Sequence, residues 1–97
     1  MEDKNEEFWD LLSFLQMSKN RKQAIRIISK SEWPLMPKEV TDGMDTGFNS
    51  VSRAMRELEQ RNLLKCVNPD APHHRRYMLT KKGEEVLKVL EEIEDNE

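Results

Sequence analysis

The chain has 97 residues, of which 36% are hydrophobic and 36% charged, and its net charge is −3. This length fits one small domain with a thin core, and such a core is often completed by pairing with a second copy. No apolar run is long enough to cross a bilayer, the start Met1-Glu2-Asp3-Lys4 is acidic rather than signal-like, and a single cysteine cannot form an internal disulfide. We therefore expect a cytoplasmic protein with no membrane partner.

The charges are segregated along the chain. Residues 1–10 and residues 81–97 each have a net charge of −4, whereas residues 11–80 carry twelve Lys and Arg against seven acids, a net charge of +5. A basic centre with acidic ends is typical of a protein that presents its central segment to nucleic acid. The same distribution also arises by chance on a solvated surface, so charge alone leaves both interpretations open.

Apolar spacing predicts two helices in the N-terminal third. The residues at i, i+3, i+4 and i+7 from Phe8 are apolar and predict a helix over residues 5–17. A second helix follows Ser18 as N-cap and ends before Pro34, because proline restricts the residue that precedes it. The predicted buried side of this second helix consists of Ala24, Ile25, Ile27 and Ile28.

Residues 36–61 predict a helix-turn-helix. Pro37 opens a short helix that reaches Asp42, and Gly43 is placed to end it in a left-handed conformation. Residues 44–47 form a tight turn, and a longer helix runs from about Phe48 to Arg61. Its predicted inward stripe consists of Phe48, Val51, Met55 and Leu58.

A hairpin over residues 63–79 and a last helix over residues 81–94 complete the predicted fold. Strands at 63–67 and 75–79 flank a turn-forming segment, with Tyr77 and Leu79 facing the core. Thr80 caps the last helix, whose apolar face contains Val86, Leu87, Leu90 and Ile93. The order α-α-α-turn-α-β-β-α is mainly α with a small β-hairpin, and it predicts one winged helix-turn-helix domain over residues 1–97.

The second helix of a helix-turn-helix lies in the major groove and reads base edges with its N-terminal half. Rotation by about 100° per residue places one set of polar residues opposite the inward stripe and another on its flank. The predicted DNA contacts are Thr46, Asn49, Ser50, Ser52, Arg53 and Arg56 in this region, and His73, His74, Arg75 and Arg76 at the wing tip. Arg pairs with guanine and Asn with adenine, and a basic wing contacts phosphates or the minor groove.

Each of these contacts has a simpler alternative. Arg53 and Arg56 could be solvated helix residues that pair with Glu57 or Glu59, and the wing could be a solvated hairpin. The start of the second helix, residues 19–22, is Lys-Asn-Arg-Lys, which could lie beside a phosphate or be a solvated helix end.

Three segments carry a family resemblance: Met36-Pro37-Lys38-Glu39-Val40, residues 49–64 (NSVSRAMRELEQRNLL) and residues 75–86 (RRYMLTKKGEEV). Together they resemble the winged-helix regulators of the MarR/ArsR type, especially small archaeal ones. Asn62 stands where these regulators usually have glycine, and Asn also tolerates the left-handed conformation. The resemblance covers about residues 18–90, and it implies a DNA-binding regulator that is usually a homodimer on a partly palindromic site.

The leading hypothesis is a sequence-specific transcriptional regulator that binds double-stranded DNA as a homodimer through its N- and C-terminal helices. In a second arrangement the first helix folds back over its own domain. The alternative function is a winged-helix protein–protein interaction module, which the overall acidity favours. Three acids could interrupt a DNA-binding face: Asp45, Glu57 and Asp70.

The chain has no residue pattern typical of an enzyme, a phosphate-binding loop or a metal site. His73 and His74 lack further ligands nearby, and Cys66 is expected to be a small buried residue. Trp9 and Trp33 are expected to pack in the core or at an interface. We therefore expect neither catalysis nor a cofactor.

Overall fold

Five helices and a β-hairpin make up residues 5–96, which are the residues that the computed structural model describes. The elements are α1 (Glu6–Gln16), α2 (Lys19–Lys30), α3 (Pro37–Asp42), α4 (Phe48–Gln60), β1 (Leu64–Cys66), β2 (Tyr77–Leu79) and α5 (Lys81–Asp95). The predicted order is confirmed, and the main difference is that both strands are shorter than predicted. No helix within this range has the length and apolar character needed to span a bilayer.

Side-chain caps fix where three of the helices begin. Asn5 Oδ1 accepts a hydrogen bond from the backbone N–H of Phe8 at 2.9 Å. Ser18 Oγ accepts one from Arg21 at 3.2 Å, and Thr80 Oγ1 accepts one from Gly83 at 2.9 Å. These caps satisfy N–H groups that have no partner inside the helix. The predicted caps at Ser18 and Thr80 are therefore confirmed.

The ends of α3 and α4 differ in backbone conformation. Gly43 has φ −97°, so the predicted left-handed conformation at this position is wrong. The N–H of Gly43 donates a hydrogen bond to the Val40 carbonyl at 3.0 Å, and the N–H of Met44 donates one to the Thr41 carbonyl at 3.0 Å. The chain therefore continues in right-handed turns. Asn62, after α4, has φ 62° and is left-handed. Asn fits this position because its short polar side chain tolerates the left-handed conformation.

The core lies between α1, α2, α4, α5 and the inner face of the hairpin. Leu11, Leu12 and Leu15 of α1 are buried against α2 and α5 of the same chain. The first helix thus folds back over its own domain, which is the second of the two predicted arrangements. The largest fully buried side chains are Leu15, Ile25, Val40, Val51, Met55, Leu58, Leu63, Leu64, Val86 and Leu90.

Three large aromatic residues lie at the surface of the chain: Phe48, predicted to face the core, and Trp9 and Trp33, predicted to pack in the core or at an interface. Phe48 is 50% exposed, because it is the first residue of α4 and lies beyond the edge of the core; Ala54 is buried on the inward face instead. Trp9 is 48% exposed and Trp33 is 70% exposed, so neither belongs to the core. Cys66 is half-buried rather than buried, and its thiol donates to Asn68 Oδ1 at 3.4 Å.

The hairpin is antiparallel and pairs with the segment before α3. Leu64 is opposite Leu79, and Cys66 is opposite Tyr77. Leu79 is buried, Tyr77 is half-buried and Met78 is exposed, so the predicted alternation is confirmed. Leu35 exchanges two backbone hydrogen bonds with Tyr77, at 2.9 and 2.8 Å. The free edge of β2 is therefore attached to the chain that enters the helix-turn-helix.

The start of α5 packs directly on the backbone that joins α4 to β1. Thr80 donates its hydroxyl to the Asn62 carbonyl at 2.6 Å and its N–H to the Leu63 carbonyl at 3.1 Å. A Cβ placed on Gly83 would lie 2.1 Å from that same Leu63 carbonyl oxygen. Only glycine allows this approach, which sets the hairpin's position relative to α4.

Ion pairs join α2 to the end of α5. Glu94 accepts from Arg26, and it also pairs with Lys22 at 3.2 Å. The hydrogen bond from Arg26 has the largest effect and that from Lys22 the next largest, and both lower the pKa of Glu94 below its ordinary value.

Candidate nucleic-acid interface

The first half of α4 presents a polar face to solvent. Asn49, Ser50, Arg53 and Arg56 are all exposed. Among residues 5–96, none of these four side chains has a hydrogen bond or ion pair, so the alternative in which Arg53 or Arg56 pairs with Glu57 or Glu59 is not observed. The face is therefore free to bind a ligand. Thr46 and Ser52, also predicted contacts, are half-buried beside it.

The N-terminus of α4 has no side-chain cap, in contrast to α1, α2 and α5. Its N-cap is Gly47, and a Cβ built there would meet nothing within 4 Å. The first N–H groups of a helix carry partial positive charge and lack helical partners. The start of α4 is thus an open end at which an anion can approach the backbone closely.

The start of α2 lies beside this polar face. A depression of about 220 Å³ is lined by Ser18 and Asn20 from the start of α2 and by Ser50, Arg53, Ala54 and Glu57 from α4. This places a second helix N-terminus beside Arg53. The two helix starts therefore share one surface, which the spacing of residues in the sequence did not reveal.

Of the four polar residues at the start of α2, two are held by partners within the protein. Arg21 Nε donates to Glu57 Oε1 at 3.1 Å and its Nη1 donates to the Phe14 carbonyl at 3.0 Å. Its guanidinium also lies 3.9 Å from the centre of the Phe14 ring, a cation–π contact. Lys22 pairs with Glu94, as described above. Lys19 is exposed and Asn20 half-buried, and within the described part of the chain neither side chain has a partner.

The Arg21 contact also changes the charge of the interface. Glu57 was predicted as an acid that could interrupt a DNA-binding face, but its carboxylate is paired with Arg21. Asp45 and Asp70 are both exposed and have no ion pair within residues 5–96. Of the three predicted interrupting acids, one is therefore compensated and two are not.

Asn68 organises the loop of the wing. Its Oδ1 accepts from the Arg76 N–H at 2.8 Å, and its Nδ2 donates to the His74 carbonyl at 3.2 Å. The turn is closed by a hydrogen bond from Ala71 N–H to the Asn68 carbonyl at 3.0 Å, and His74 adopts a left-handed φ of 60°. The Asn-Pro sequence identified a turn here, but nothing in it indicated that one side chain holds both sides of the loop.

The basic residues of the wing divide into an outer and an inner group. His73, His74 and Arg75 are exposed, and Arg75 Nε donates to the Ala71 carbonyl at 3.0 Å. Arg76 is half-buried, and its Nη1 contacts the Pro34 carbonyl at 3.3 Å and Glu39 Oε1 at 3.4 Å. The structure thus places Arg76 at the base of the wing, between the hairpin and α3.

Tyr77 lies beneath these residues in β2. Burial, and then the nearby Glu59 carboxylate, raise the pKa of its phenol, while Arg75 opposes the shift. The raised pKa further favours the neutral phenol of Tyr77, which is uncharged at neutral pH even at its ordinary pKa.

A family model described as HxlR-like helix-turn-helix matches residues 37–96. This chain belongs to the HxlR-like helix-turn-helix family. The matched range includes α3, α4, the hairpin and α5, and therefore most of the candidate interface. No curated protein sequence matches the chain.

Solved structures similar to this HxlR-like chain include a MarR family transcription regulator and two mutants of S. aureus MepR. A MarR family transcription regulator superposes with a TM-score of 0.74 at 16% identity, over 92% of this chain and 59% of that one. A mutant of S. aureus MepR gives a TM-score of 0.74 at 17% identity, over 90% of this chain and 65% of MepR. Another MepR mutant, bound to an oligodeoxyribonucleotide, superposes with a TM-score of 0.72 at 16% identity, over 93% of this chain and 70% of MepR.

These matches confirm the winged-helix fold and the predicted likeness to MarR-type regulators. The HxlR-like chain spans about three fifths of the length of the first of these regulators. None of the matches supports the narrower resemblance to archaeal members.

Sequence reasoning missed several residues of the candidate interface. Phe48 was assigned to the core, yet half of its surface is exposed next to Asn49. The Asn68-Pro69 sequence predicted a turn and Glu39 had no predicted role, so neither contact with Arg76 was anticipated, across 8 residues from Asn68 and 37 from Glu39. The position of Phe48 at the first turn of α4 was the one sequence signal that could have placed it at the surface.

Proposed function

We propose that this protein is a sequence-specific DNA-binding transcriptional regulator, built as one winged-helix domain and acting as a homodimer in the cytoplasm. The observation that carries the proposal is the exposed, unpaired polar face of α4, flanked by the start of α2 and the wing. A helix-turn-helix of this form enters the major groove with its second helix. Membership in the HxlR-like helix-turn-helix family and the MarR-type fold support the same function.

In this proposal the exposed face of α4 reads base edges. Arg53 and Asn49 are suited to guanine and adenine, and Ser50 can donate to or accept from either. Phe48, exposed at the first turn, can make an apolar contact with a thymine methyl group. Arg56 lies one turn after Ser52 and is long enough to contact a phosphate.

Phosphates are contacted by groups around this face. The uncapped N–H groups of α4 and the half-buried hydroxyls of Thr46 and Ser52 are suited to backbone phosphates. Lys19 and Asn20 offer further contacts from the start of α2. Arg21 is assigned a positioning role, since its guanidinium is held by Glu57 and Phe14.

The wing contributes a second set of contacts. His73, His74 and Arg75 at its outer end contact phosphates or lie in the adjacent minor groove. Arg76 holds the wing against α3 through Glu39, and the outer part of its partly exposed side chain can also approach a phosphate. Loss of Arg75 should therefore weaken DNA binding by removing a direct contact. Loss of Arg76 should in addition remove the contact that holds the wing against α3.

The dimer is proposed to form through the N- and C-terminal helices. The inner side of α1 is covered by its own chain, so the dimer surface must use its outer side, where Trp9 is half-exposed. Val89 and Ile93 of α5 are only partly buried and are available to extend that surface. Light scattering should give twice the monomer mass, and Trp9→Glu should reduce it to the monomer mass.

Selection from random duplex DNA, followed by gel-shift titration, tests DNA binding. A palindromic motif is expected, with a steep decrease in affinity as salt rises, because phosphate contacts release counterions. Arg53→Ala and Asn49→Ala should each weaken specific binding by about fivefold or more, from the loss of roughly 1–3 kcal/mol per base contact. Gln60→Ala, at the exposed far end of α4, should have no effect. Unchanged binding by both Arg53→Ala and Asn49→Ala would contradict the proposal.

A second candidate function, a protein–protein interaction module, is favoured by one observation. Asp45 and Asp70 are exposed and uncompensated at the turn before α4 and at the wing, which weakens the attraction of this face for a polyanion. If the selection enriches no motif at moderate salt, this second function becomes the better explanation.

A further inference from the structure

A groove of about 310 Å³ lies between the end of α2, the loop over residues 31–34, β2 and α5. Its floor is formed by the buried side chains of Ile28, Leu79 and Leu87. Trp33 is 70% exposed and Met78 is 39% exposed, and both line the opening. None of the residues assigned to DNA contact lines this groove, so its role is separate from the interface described above.

Trp33 is held in a defined loop. The Ser31 hydroxyl accepts from the Trp33 N–H at 3.1 Å and donates to the Trp33 carbonyl at 2.7 Å. Pro34 follows and restricts the backbone of Trp33 further. These contacts fix the backbone of Trp33, and its indole is left 70% exposed at the opening of the groove.

The charges that line the groove are mostly negative. Glu32, Glu84 and Glu91 contribute three carboxylates, against the single ammonium of Lys88. Glu91 is only weakly compensated, since its Oε2 lies 3.9 Å from Arg26 Nε. The end of α2, which carries the negative pole of its helix dipole, also borders the groove. The lining therefore attracts a positive charge and repels an anion.

We propose that this groove binds a small organic cation, a quaternary ammonium or amine with an aromatic or aliphatic body. The cationic group lies among the carboxylates and against the indole of Trp33, which attracts cations through its π face. The apolar body lies on Ile28, Leu79 and Leu87. The volume lies at the lower end of the range for small-molecule sites, which fits a ligand of this size.

The test uses the full chain with Trp9→Phe, which leaves Trp33 as the one tryptophan. Benzyltrimethylammonium should change the Trp33 fluorescence in a saturable manner. Benzyl alcohol, a neutral aromatic probe, and benzenesulfonate, an anionic one, should bind much more weakly or not at all. Comparable binding of all three probes would overturn the proposal, because charge would then have no role.

Variants measured by calorimetry locate the site. Trp33→Ala should weaken binding of the cation by about tenfold, and Glu84→Gln or Glu91→Gln by about threefold each. Lys88→Gln should strengthen binding, because it removes the one positive charge of the lining. Glu85→Gln is the matched control, since it makes the same charge change on α5 outside the groove.

Two further results would overturn the proposal. One is an equal effect of Glu85→Gln and Glu84→Gln, which would indicate a response to net charge alone. The other is conversion of a dimer to a monomer by Trp33→Ala, which would show that a second copy covers the groove. Circular dichroism of each variant checks that the fold is retained, as expected for changes at exposed side chains.

Discussion

Replacement of Gly83 by alanine tests the packing of α5 on the α4–β1 junction. Helix propensity alone predicts that Gly83→Ala stabilises the protein by about 1 kcal/mol. The structure predicts the opposite sign, because the new Cβ would lie 2.1 Å from the Leu63 carbonyl oxygen. This neighbour is backbone and cannot rotate away, so α5 and the junction must separate by more than an ångström.

The expected loss of stability follows from three contributions. Overpacking against fixed atoms costs about 3 kcal/mol, and loss of the Thr80 hydrogen bond to the same carbonyl costs about 1 kcal/mol. The better helix propensity of alanine offsets about 1 kcal/mol, which leaves a net loss of about 3 kcal/mol. With a urea m-value of about 1–2 kcal/mol per molar, the unfolding midpoint should fall by about 2 M.

Urea unfolding followed by circular dichroism measures this loss. Gly47→Ala is the matched control, since a Cβ there meets nothing within 4 Å and φ is −81°. It should change the unfolding free energy by no more than about 0.5 kcal/mol. A midpoint for Gly83→Ala equal to or above that of the unmodified protein would refute the packing argument.

Three further predictions concern single residues. Asn62→Ala should lower the unfolding free energy by about 1 kcal/mol because φ is 62°, whereas Asn62→Gly should not; equal losses in urea unfolding would contradict this. The pKa of Glu94 is lowered in the folded protein, so its ion pairs contribute stability above the ordinary value of 4.5, and this contribution is lost as the pH falls through the lowered pKa. The melting-temperature deficit of Glu94→Gln should therefore be present at neutral pH and disappear in acid; a deficit independent of pH would rule out the ion pairs as its cause. Asn68→Ala should broaden the NMR signals of the wing loop and weaken DNA binding severalfold, whereas the control Gln60→Ala should leave DNA binding nearly unchanged. Unchanged loop signals in Asn68→Ala would show that Asn68 does not hold the wing.

The fold was largely predictable because its helices carry clear periodicity. The spacing that starts at Phe8 and the caps at Ser18 and Thr80 are local signals, and the structure contains each of them. Phe48 fitted the same periodicity and is nevertheless exposed. Periodicity identifies which residues share a face, but whether that face is covered depends on where the neighbouring elements end.

The candidate interface was predictable to a smaller extent. Rotation about α4 placed Arg53 and Asn49 on the exposed face, since this requires only local geometry. The partners of Arg21 and Arg76 lie 36 and 37 residues away in the chain. No local pattern distinguishes an arginine that is free from one that is held by so distant a carboxylate.

The attachment of the wing to the segment before α3 has a consequence for protein engineering. Two backbone hydrogen bonds join Leu35 to Tyr77, and Arg76 reaches both the Pro34 carbonyl and Glu39. In a chimera that imports only residues 64–79 from a relative, the new hairpin would lack side chains matched to residues 34–39. The polar groups of residues 34–39 would then be left without their hydrogen-bond partners. The transplantable unit is therefore discontinuous, and it consists of residues 34–39 together with residues 64–79.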